Sequence, residues 1–327
     1  MIMKCKSGRG SRVCAAGNAR RSFLRLFGAT VAGGLADVPR VAAEERKGRP
    51  TFVMIHGSWH GAWCFKFVEN LLTNNGFRVF ALDLPGHGLD AQFPASYLAG
   101  NLYPNEVSPV AGITLDDYTE AVVPSILALR GGGPLIVLGH SLGGIVVNEV
   151  GQRLGPEVIK HMVYLTAFMT PARETGNDVI SLEAQNGGLV SSLVVGPIAT
   201  IGAVRINPNS TDPADRALAA DAFYDDVPAE RIPAIFNMLT PDDPAAPSTA
   251  TTSITQDRWG KIPRTFIRCT LDHAIPLAAQ NALIAAADAF TPGNPTQTAT
   301  LQCSHSPFFS MPQQLASVLS QIAESTV

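Results

Sequence analysis

The sequence predicts an α/β domain with a mainly parallel sheet of about six strands, flanked by helices. Short apolar runs alternate with amphipathic segments of helical length, as in sheets whose strands are joined by crossover helices. The 327 residues can bury a sizeable core, and 46% hydrophobic with 16% charged residues is a globular composition. No run of about 18 apolar residues occurs, so no membrane span is expected.

Each predicted strand is a short apolar run, and most are followed by a helical segment. The strands are predicted at 51–55, 79–82, 135–138, 162–165, 265–269 and 298–302. The main helices are predicted at 62–75, 115–129, 142–154, 277–290 and 312–323. Six strands that alternate with helices predict one sheet and one core.

One segment, residues 167–261, interrupts this alternation. At about 95 residues it is too long for a structureless loop in a compact domain. Its aromatic and apolar residues argue against a disordered excursion, and short helices fit 218–223 and 232–239. We therefore predict a helical cap at about 167–261, inserted into an α/β domain of residues 44–327.

The first 43 residues have the features of an export signal. Basic residues lead to the pair Arg20-Arg21, an apolar Gly-rich run follows at 26–35, and Val41-Ala42-Ala43 offers small residues for cleavage. This order resembles a twin-arginine signal and predicts a periplasmic or secreted protein. The alternatives are a disordered basic arm or a buried first helix.

The charge of the chain without this segment is strongly acidic. The segment carries eight Lys/Arg and one Asp, so 16 basic and 26 acidic residues remain, a net charge of −10. An acidic surface repels nucleic acid and anionic lipid, which leaves a neutral or cationic small molecule as the expected partner. The sequence does not indicate an oligomeric state.

Cysteine and histidine spacing gives no sign of a metal or a disulfide framework. Cys64, Cys269 and Cys303 remain after the predicted signal, an odd and sparse set. No Cys/His cluster has the spacing of a zinc site. We therefore expect neither a metal nor an organic cofactor.

The stretch GHSLGG at 139–144 contains a candidate nucleophile. It follows a predicted strand and begins a predicted helix, so the G-x-S-x-G pattern places Ser141 on a sharp turn. Small-residue turns are common in α/β folds, but here both flanking elements are present. The context predicts that Ser141 is a nucleophile whose hydroxyl lies at the carboxyl edge of the sheet.

A serine nucleophile needs a histidine and an acid, which follow it in the chain in this fold class. His305 comes just after the last predicted strand, and Asp272 just after the strand before it. Both therefore lie at the same edge of the sheet as the nucleophile. The rival acids are Asp83, in a turn before the nucleophile, and Asp116 and Asp117, which begin a helix and suit its dipole.

Two backbone N–H groups are predicted to hold the oxyanion. One belongs to Leu142, which follows the nucleophile, and the other to Ser58, in the loop after the first strand. Gly57 permits close backbone approach there. Gly57, Trp59 and His140 are predicted to contact the substrate. The alternative is that this His-Gly loop only ends a strand.

These motifs together resemble the α/β-hydrolase superfamily over roughly residues 50–325. Within it, the chain resembles the branch of plant methyl esterases, hydroxynitrile lyases and related bacterial esterases. The resemblance rests on HGSWHGAW at 56–63, DLPGHG at 83–88, the serine motif at 139–144, Asp272, and SHSP at 304–307. It implies an α/β-hydrolase fold and a Ser141–His305–Asp272 triad.

The same resemblance implies hydrolysis of a carboxylic ester through an acyl-serine intermediate. The predicted cap, apolar and poor in basic groups, indicates a small substrate with a largely hydrophobic acyl or alcohol portion. The lyases of this branch carry a threonine after the strand-end histidine and a lysine after the catalytic histidine. This chain has Gly57 and Ser306 at those positions, which favours the esterase. Cyanohydrin cleavage, or a receptor without catalysis, remains the alternative.

Overall fold

A computed structural model describes residues 48–171 and 174–326; the predicted export signal at 1–43 lies outside them. The strands are Thr51–Ile55 (β1), Arg78–Leu82 (β2), Leu135–Ser141 (β3), Ile159–Ala167 (β4), Ala203–Arg205 (β5), Asp242–Pro244 (β6), Arg264–Cys269 (β7) and Gln297–Leu301 (β8). Six of them form one parallel sheet in the order β2-β1-β3-β4-β7-β8, and β5 and β6 form a separate antiparallel pair. The predicted fold class is confirmed.

The helices lie between the strands, as the alternating pattern predicts. They are Lys66–Asn74 (α1), Ala95–Leu98 (α2), Leu115–Ala128 (α3), Gly143–Val158 (α4), Gly176–Gln185 (α5), Ile198–Ile201 (α6), Pro213–Tyr224 (α7), Ile232–Phe236 (α8), Ala245–Thr249 (α9), Leu277–Phe290 (α10), Pro307–Ser310 (α11) and Pro312–Ser325 (α12). No helix in the described ranges is both long and apolar enough to cross a membrane.

The sheet is covered on both faces, which explains its apolar strands. The helices α1 and α12 pack on one face, and α3, α4 and α10 pack on the other. The central strand β3 is buried along LIVLGH, whereas the edge strand β2 is partly exposed. Strands buried on both faces of a parallel sheet become nearly continuous Val/Ile/Leu runs.

The strand register aligns the carboxyl ends of the central strands. Ile55 at the end of β1 pairs with Gly139 in β3, and Ser141 pairs with Ala167 at the end of β4. The carboxyl end of a parallel sheet is where α/β proteins bind ligands. The loops that follow β1, β3, β4 and β7 therefore meet around Ser141.

The chain between β4 and β7, described at 168–171 and 174–263, is called the cap below. It contains α5 to α9, and α7 and α8 overlap the short helices expected at 218–223 and 232–239. The cap also contains the antiparallel pair β5–β6, which no sequence pattern indicated. The buried Arg205 on β5 donates to both carboxylate oxygens of Asp242 on β6, at 2.6 and 2.7 Å.

Candidate active site

Ser141 lies on the turn between β3 and α4 with a backbone φ of 53°. Residues other than glycine rarely adopt this left-handed conformation, and it costs about 1–3 kcal/mol when the surrounding structure enforces it. The N–H of Phe168 donates to the carbonyl of Ser141 (2.9 Å), which helps to hold the turn. The strained turn places the serine at the sheet edge, as predicted.

Glycines around the turn allow backbone segments to approach closely. A Cβ atom on Gly139 would lie 2.6 Å from the carbonyl oxygen of Gly143, and one on Gly143 would lie 2.5 Å from that of His56. A Cβ atom on Gly57 would lie 2.6 Å from the Cβ of Ser141. Glycine at these positions thus brings the loop after β1 directly against the candidate nucleophile.

His305 and Asp272, the base and the acid predicted from the sequence, lie within hydrogen-bond distance of each other. Nδ1 of the buried His305 lies 2.7 Å from Oδ2 of the buried Asp272. The same oxygen accepts from Thr166 Oγ1 (2.5 Å), and Oδ1 accepts from the N–H groups of Ala274 (2.7 Å) and Ile275 (2.8 Å). With both oxygens occupied, the carboxylate is fixed in position.

This hydrogen bond also determines the tautomer of the histidine. Because Asp272 accepts at Nδ1, the proton lies there and Nε2 is the basic nitrogen. No hydrogen bond joins Ser141 to His305 within the described residues. Such contacts are often long without substrate and shorten in the reacting complex.

His140 is in direct contact with His305. Its Nε2 lies 2.9 Å from the carbonyl oxygen of His305, and the two rings are 4.6 Å apart. His140 is absent from the described residues that line the cavity around Ser141. The contacts of His140 in the structure are therefore with His305, and its contact with the substrate stays a prediction.

The residues that carry the predicted oxyanion donors, Ser58 and Leu142, line the same cavity as Ser141. Their backbone N–H groups donate to no acceptor among the described residues. Leu142 immediately precedes α4, whose N-terminus favours negative charge. Two unused donors beside the serine suit a tetrahedral oxyanion.

The loop at residues 56–61, called the oxyanion loop, is held in place partly by its own histidine, His56. Nδ1 of His56 lies 2.8 Å from the carbonyl oxygen of Gly57, and Nε2 accepts from the N–H of Leu84 (3.0 Å). Burial lowers the pKa of His56 well below its usual range. The ring is therefore neutral and fixes the loop through hydrogen bonds rather than charge.

Hydrogen bonds from the cap also hold the oxyanion loop in place. Residues 203–206 and 240–244, called the cap ribbon, contain β5 and β6. Trp59, with a φ of 61°, donates its indole N–H to the carbonyl of Val204 (2.9 Å), and its own carbonyl accepts from Thr240 N–H (3.0 Å). Ser58 Oγ donates to Oδ2 of Asp243 (3.1 Å).

A second histidine, His60, also supports the oxyanion loop. Its Nδ1 lies 2.8 Å from the carbonyl oxygen of Ser58, and its Nε2 lies 2.9 Å from the hydroxyl of Tyr224 on α7. Burial lowers its pKa to about 4. His60 is therefore also neutral at ordinary pH.

A cavity of about 780 Å³ opens at Ser141. Ser58, Trp59 and Leu142 line it beside the serine. Its other walls are mainly apolar cap residues and include Ile180, Val190, Val194, Ile198, Val204 and Phe223. This size fits a small-molecule ligand. Trp59 therefore lines the cavity as predicted, whereas Gly57 acts through its approach to Ser141.

The rival carboxylates have other roles. Asp83 Oδ1 accepts from the N–H of Ala62 (2.6 Å) and so ties the turn after β2 to the segment before α1. Asp117 and Thr114 form a reciprocal capping box at the start of α3. Asp116 pairs with Arg153 at the surface. The structural roles expected from the sequence agree with these contacts.

Three residues of the site were missed by sequence reasoning. Thr166 comes at the end of β4, a position at the sheet edge that could have drawn attention to it. Asp243 lies in a Pro-Asp-Asp-Pro stretch that reads as a cap turn, and Glu183 lies on a cap helix. Neither carries a local pattern that indicates an active site.

Outside the cavity, the described residues contain one cluster of side chains that could offer several ligand atoms to a cation. The ligand atoms of Asp221, Asp225 and His273 lie within 4.8 Å of one another, but both aspartates are exposed. His273 Nδ1 is 2.6 Å from Asp221 Oδ1, a hydrogen bond that raises the pKa of His273. This ion pair accounts for the cluster without a metal.

Comparison with known proteins gives relatives along most of the chain. Methylesterase 1 of Arabidopsis thaliana is 26% identical over 86% of this chain and 99% of its own. A pyrethroid hydrolase of Sphingobium wenxiniae is 27% identical over 84% and 87%. The chain spans only 63%, 56% and 56% of three longer chloroplastic relatives from Arabidopsis thaliana.

Solved structures agree with these relatives. The crystal structure of a pyrethroid hydrolase from Sphingobium faniae has a TM-score of 0.66 and 25% identity, and the match covers 84% of this chain and 98% of that one. The alpha/beta hydrolase family model matches residues 52–318, which include Ser141, Asp272 and His305. With the parallel sheet and the serine turn, this match shows that the chain belongs to the α/β-hydrolase family.

Proposed function

We propose that the chain is a serine esterase that cleaves carboxylic esters of small, largely hydrophobic molecules. One observation carries the proposal. Ser141 faces a cavity of about 780 Å³ with two unused backbone N–H groups beside it and a His305–Asp272 pair at the same sheet edge. That constellation matches the needs of acyl transfer: a nucleophile, a base with a fixed tautomer, and oxyanion donors.

The reaction has two steps. In the first, His305 Nε2 takes the proton of Ser141 as Oγ attacks the ester carbonyl, and the N–H groups of Ser58 and Leu142 hold the oxyanion. His305 then gives the proton to the departing alcohol, which leaves an acyl-serine. In the second step His305 activates water, and the acid leaves. Asp272 stabilises the imidazolium in both steps.

The apolar cavity and the relatives together support the substrate class. The related proteins are described as a methylesterase and as pyrethroid hydrolases, all of which are ester hydrolases. The cap walls around Ile180, Val194 and Phe223 suit an apolar acyl or alcohol group. We extend ester hydrolysis to this chain, without a choice between these particular substrates.

The test is hydrolysis of p-nitrophenyl esters with acyl chains of increasing length. Ser141→Ala should lower kcat by about a million-fold, and Asp272→Asn by about ten thousand-fold because His305 would lose its correct tautomer. Ser320→Ala, a serine on the distant α12, is the matched control and should retain full activity. Substantial turnover by folded Ser141→Ala would refute the assignment of the nucleophile.

The two alternatives predict different results. If the folded wild-type protein hydrolyses no ester, release of benzaldehyde from mandelonitrile would indicate a hydroxynitrile lyase. Binding of small esters without any turnover would indicate a receptor. Gly57 and Ser306, where related lyases carry threonine and lysine, favour the esterase over the lyase.

We also propose that residues 1–43 direct export through the twin-arginine route. The support is the sequence pattern alone, with Arg20-Arg21 before an apolar run and a small-residue cleavage site. Replacement of both arginines by lysine should leave the protein in the cytoplasm, whereas the unchanged chain is exported. Cell fractionation measures the difference, and equal export of both chains would contradict the proposal.

A further inference from the structure

The charged residues that line the cavity in the described ranges are all acidic. Glu183 on α5 and Asp243 on β6 are its acidic lining residues, and no Lys or Arg lines it within the described ranges. Both acids are buried, with exposed fractions of 4% for Glu183 and 2% for Asp243. Buried acids normally have a hydrogen-bond or charge partner, so each requires an explanation.

Asp243 has such partners. Oδ2 accepts from Ser58 Oγ, and Oδ1 lies 3.0 Å from Nε2 of the buried His87. The contacts join the cap ribbon to the oxyanion loop and to the loop after β2. Asp243 is therefore part of the support of the oxyanion hole.

Glu183 differs in this respect. Its carboxyl group makes no hydrogen bond or ion pair with any side chain or backbone group in the described parts of the chain. It lies on the face of α5 that also presents Asn177 and Ile180 to the cavity, at helical spacing of three. Burial raises the pKa of Glu183 well above its usual range, and nearby Asp272 raises it further.

A cationic group on the ligand would supply the missing partner. An ammonium group beside Glu183 would favour the ionised carboxylate that burial disfavours, and the mainly apolar walls make this attraction stronger than it is in water. A ligand that carries its own carboxylate would instead meet two buried acids.

We propose that the cavity selects hydrophobic esters that carry a basic nitrogen, and that Glu183 binds the protonated amine. This proposal rests on the esterase function proposed above and names its substrate class. Glu183 determines specificity and takes no part in bond cleavage. The triad and the oxyanion donors act identically on charged and neutral esters.

Matched ester pairs test the proposal. Dimethylaminoethyl butyrate and isoamyl butyrate differ by nitrogen for carbon in the alcohol portion. Methyl γ-(dimethylamino)butyrate and methyl δ-methylhexanoate differ in the same way in the acyl portion. For at least one pair, the wild type should have the higher kcat/KM for the amine. Glu183→Gln should lower this amine-to-carbon ratio about tenfold, since charge-assisted hydrogen bonds are roughly twice as strong as neutral ones.

The controls separate charge from folding and from catalysis. Glu183→Gln keeps the shape of the side chain and removes only its charge, so the amine-to-carbon ratio, rather than the rate with either ester, measures the role of the charge. Glu324→Gln on α12 is the matched surface substitution and should leave every ratio unchanged. Calorimetric binding of the same pairs to Ser141→Ala, which holds esters uncleaved, measures the charge preference without turnover.

The possible failures can be distinguished. Hydrolysis of the carbon esters with no amine preference, or a ratio unchanged in Glu183→Gln, would overturn the role of Glu183 and leave the esterase intact. Absence of all ester turnover in the wild type would overturn the esterase function. The calorimetric comparison would then decide the cation preference alone, and equal affinity for amine and carbon esters would refute it.

Discussion

Gly57→Ala should impair catalysis by displacing the oxyanion loop from the nucleophile. The added Cβ would lie 2.6 Å from the Cβ of Ser141 and 3.0 Å from the carbonyl oxygen of His140. Nonbonded carbon atoms prefer about 3.5–4.0 Å, so the loop must retreat by about 1 Å. Ser58, the next residue, would carry its N–H away from the oxyanion by a similar distance.

A displacement of this size costs about a hundred-fold in rate, and loss of one oxyanion donor costs about a hundred- to a thousand-fold. We therefore expect kcat to fall about a hundred-fold or more, with a smaller change in KM, because the donor acts mainly in the transition state. The assay is steady-state hydrolysis of a p-nitrophenyl ester, with thermal unfolding measured alongside.

Gly112→Ala is the matched control. A Cβ at Gly112 has no heavy atom within 4 Å, so its activity should equal that of the wild type. A folded Gly57→Ala protein with wild-type kcat would refute the reasoning. Either the oxyanion would then be held elsewhere, or the loop would accommodate a methyl group without moving Ser58.

Two further predictions concern stability. Burial lowers the pKa of His161 to about 4, below its unfolded value, so its contribution to stability is present above about pH 6.5 and decreases as the pH falls towards 4. At about pH 5 this lowers the free energy of unfolding by about 2 kcal/mol. Urea unfolding of the wild type and of His161→Gln, at neutral pH and near pH 5, measures the decrease. The decrease should be correspondingly smaller in His161→Gln, and an equal decrease in both proteins would contradict the prediction. Asp242→Asn leaves Arg205 buried without its charge partner and should lower the unfolding free energy by about 3–5 kcal/mol. Asp116→Asn, at the exposed pair with Arg153, should change it by less than about 1 kcal/mol, and similar losses in both variants would refute the argument.

The sheet and the position of the candidate catalytic residues at its carboxyl edge were predictable because their signals are local. Apolar runs end where each strand ends, and Ser141, Asp272 and His305 all follow such runs. The start of β4 was missed, since the strand begins at Ile159 rather than Met162. Lys160 and His161 interrupt the apolar pattern there, although His161 is buried against Thr265 Oγ1 at 2.9 Å.

The support of the site could not be predicted, because it depends on residues that are distant in sequence. The three-residue strand β5 exists through its pairing with β6 and through the buried Arg205–Asp242 ion pair. Thr166 acts through Asp272, 106 residues away, and Asp243 acts through Ser58, 185 residues away. Their positions become meaningful only once the chain has folded.

The contacts between the cap ribbon and the oxyanion loop have a consequence for how the ligand specificity of this protein can change. A cap that only shaped the pocket could be exchanged between relatives to transfer substrate preference. Here Val204, Thr240 and Asp243 hold Trp59 and Ser58, so a foreign cap would also leave the oxyanion donors without support. Evolution or design of a new specificity must therefore alter both sides of this contact together, or confine its changes to walls such as Ile180 and Val194.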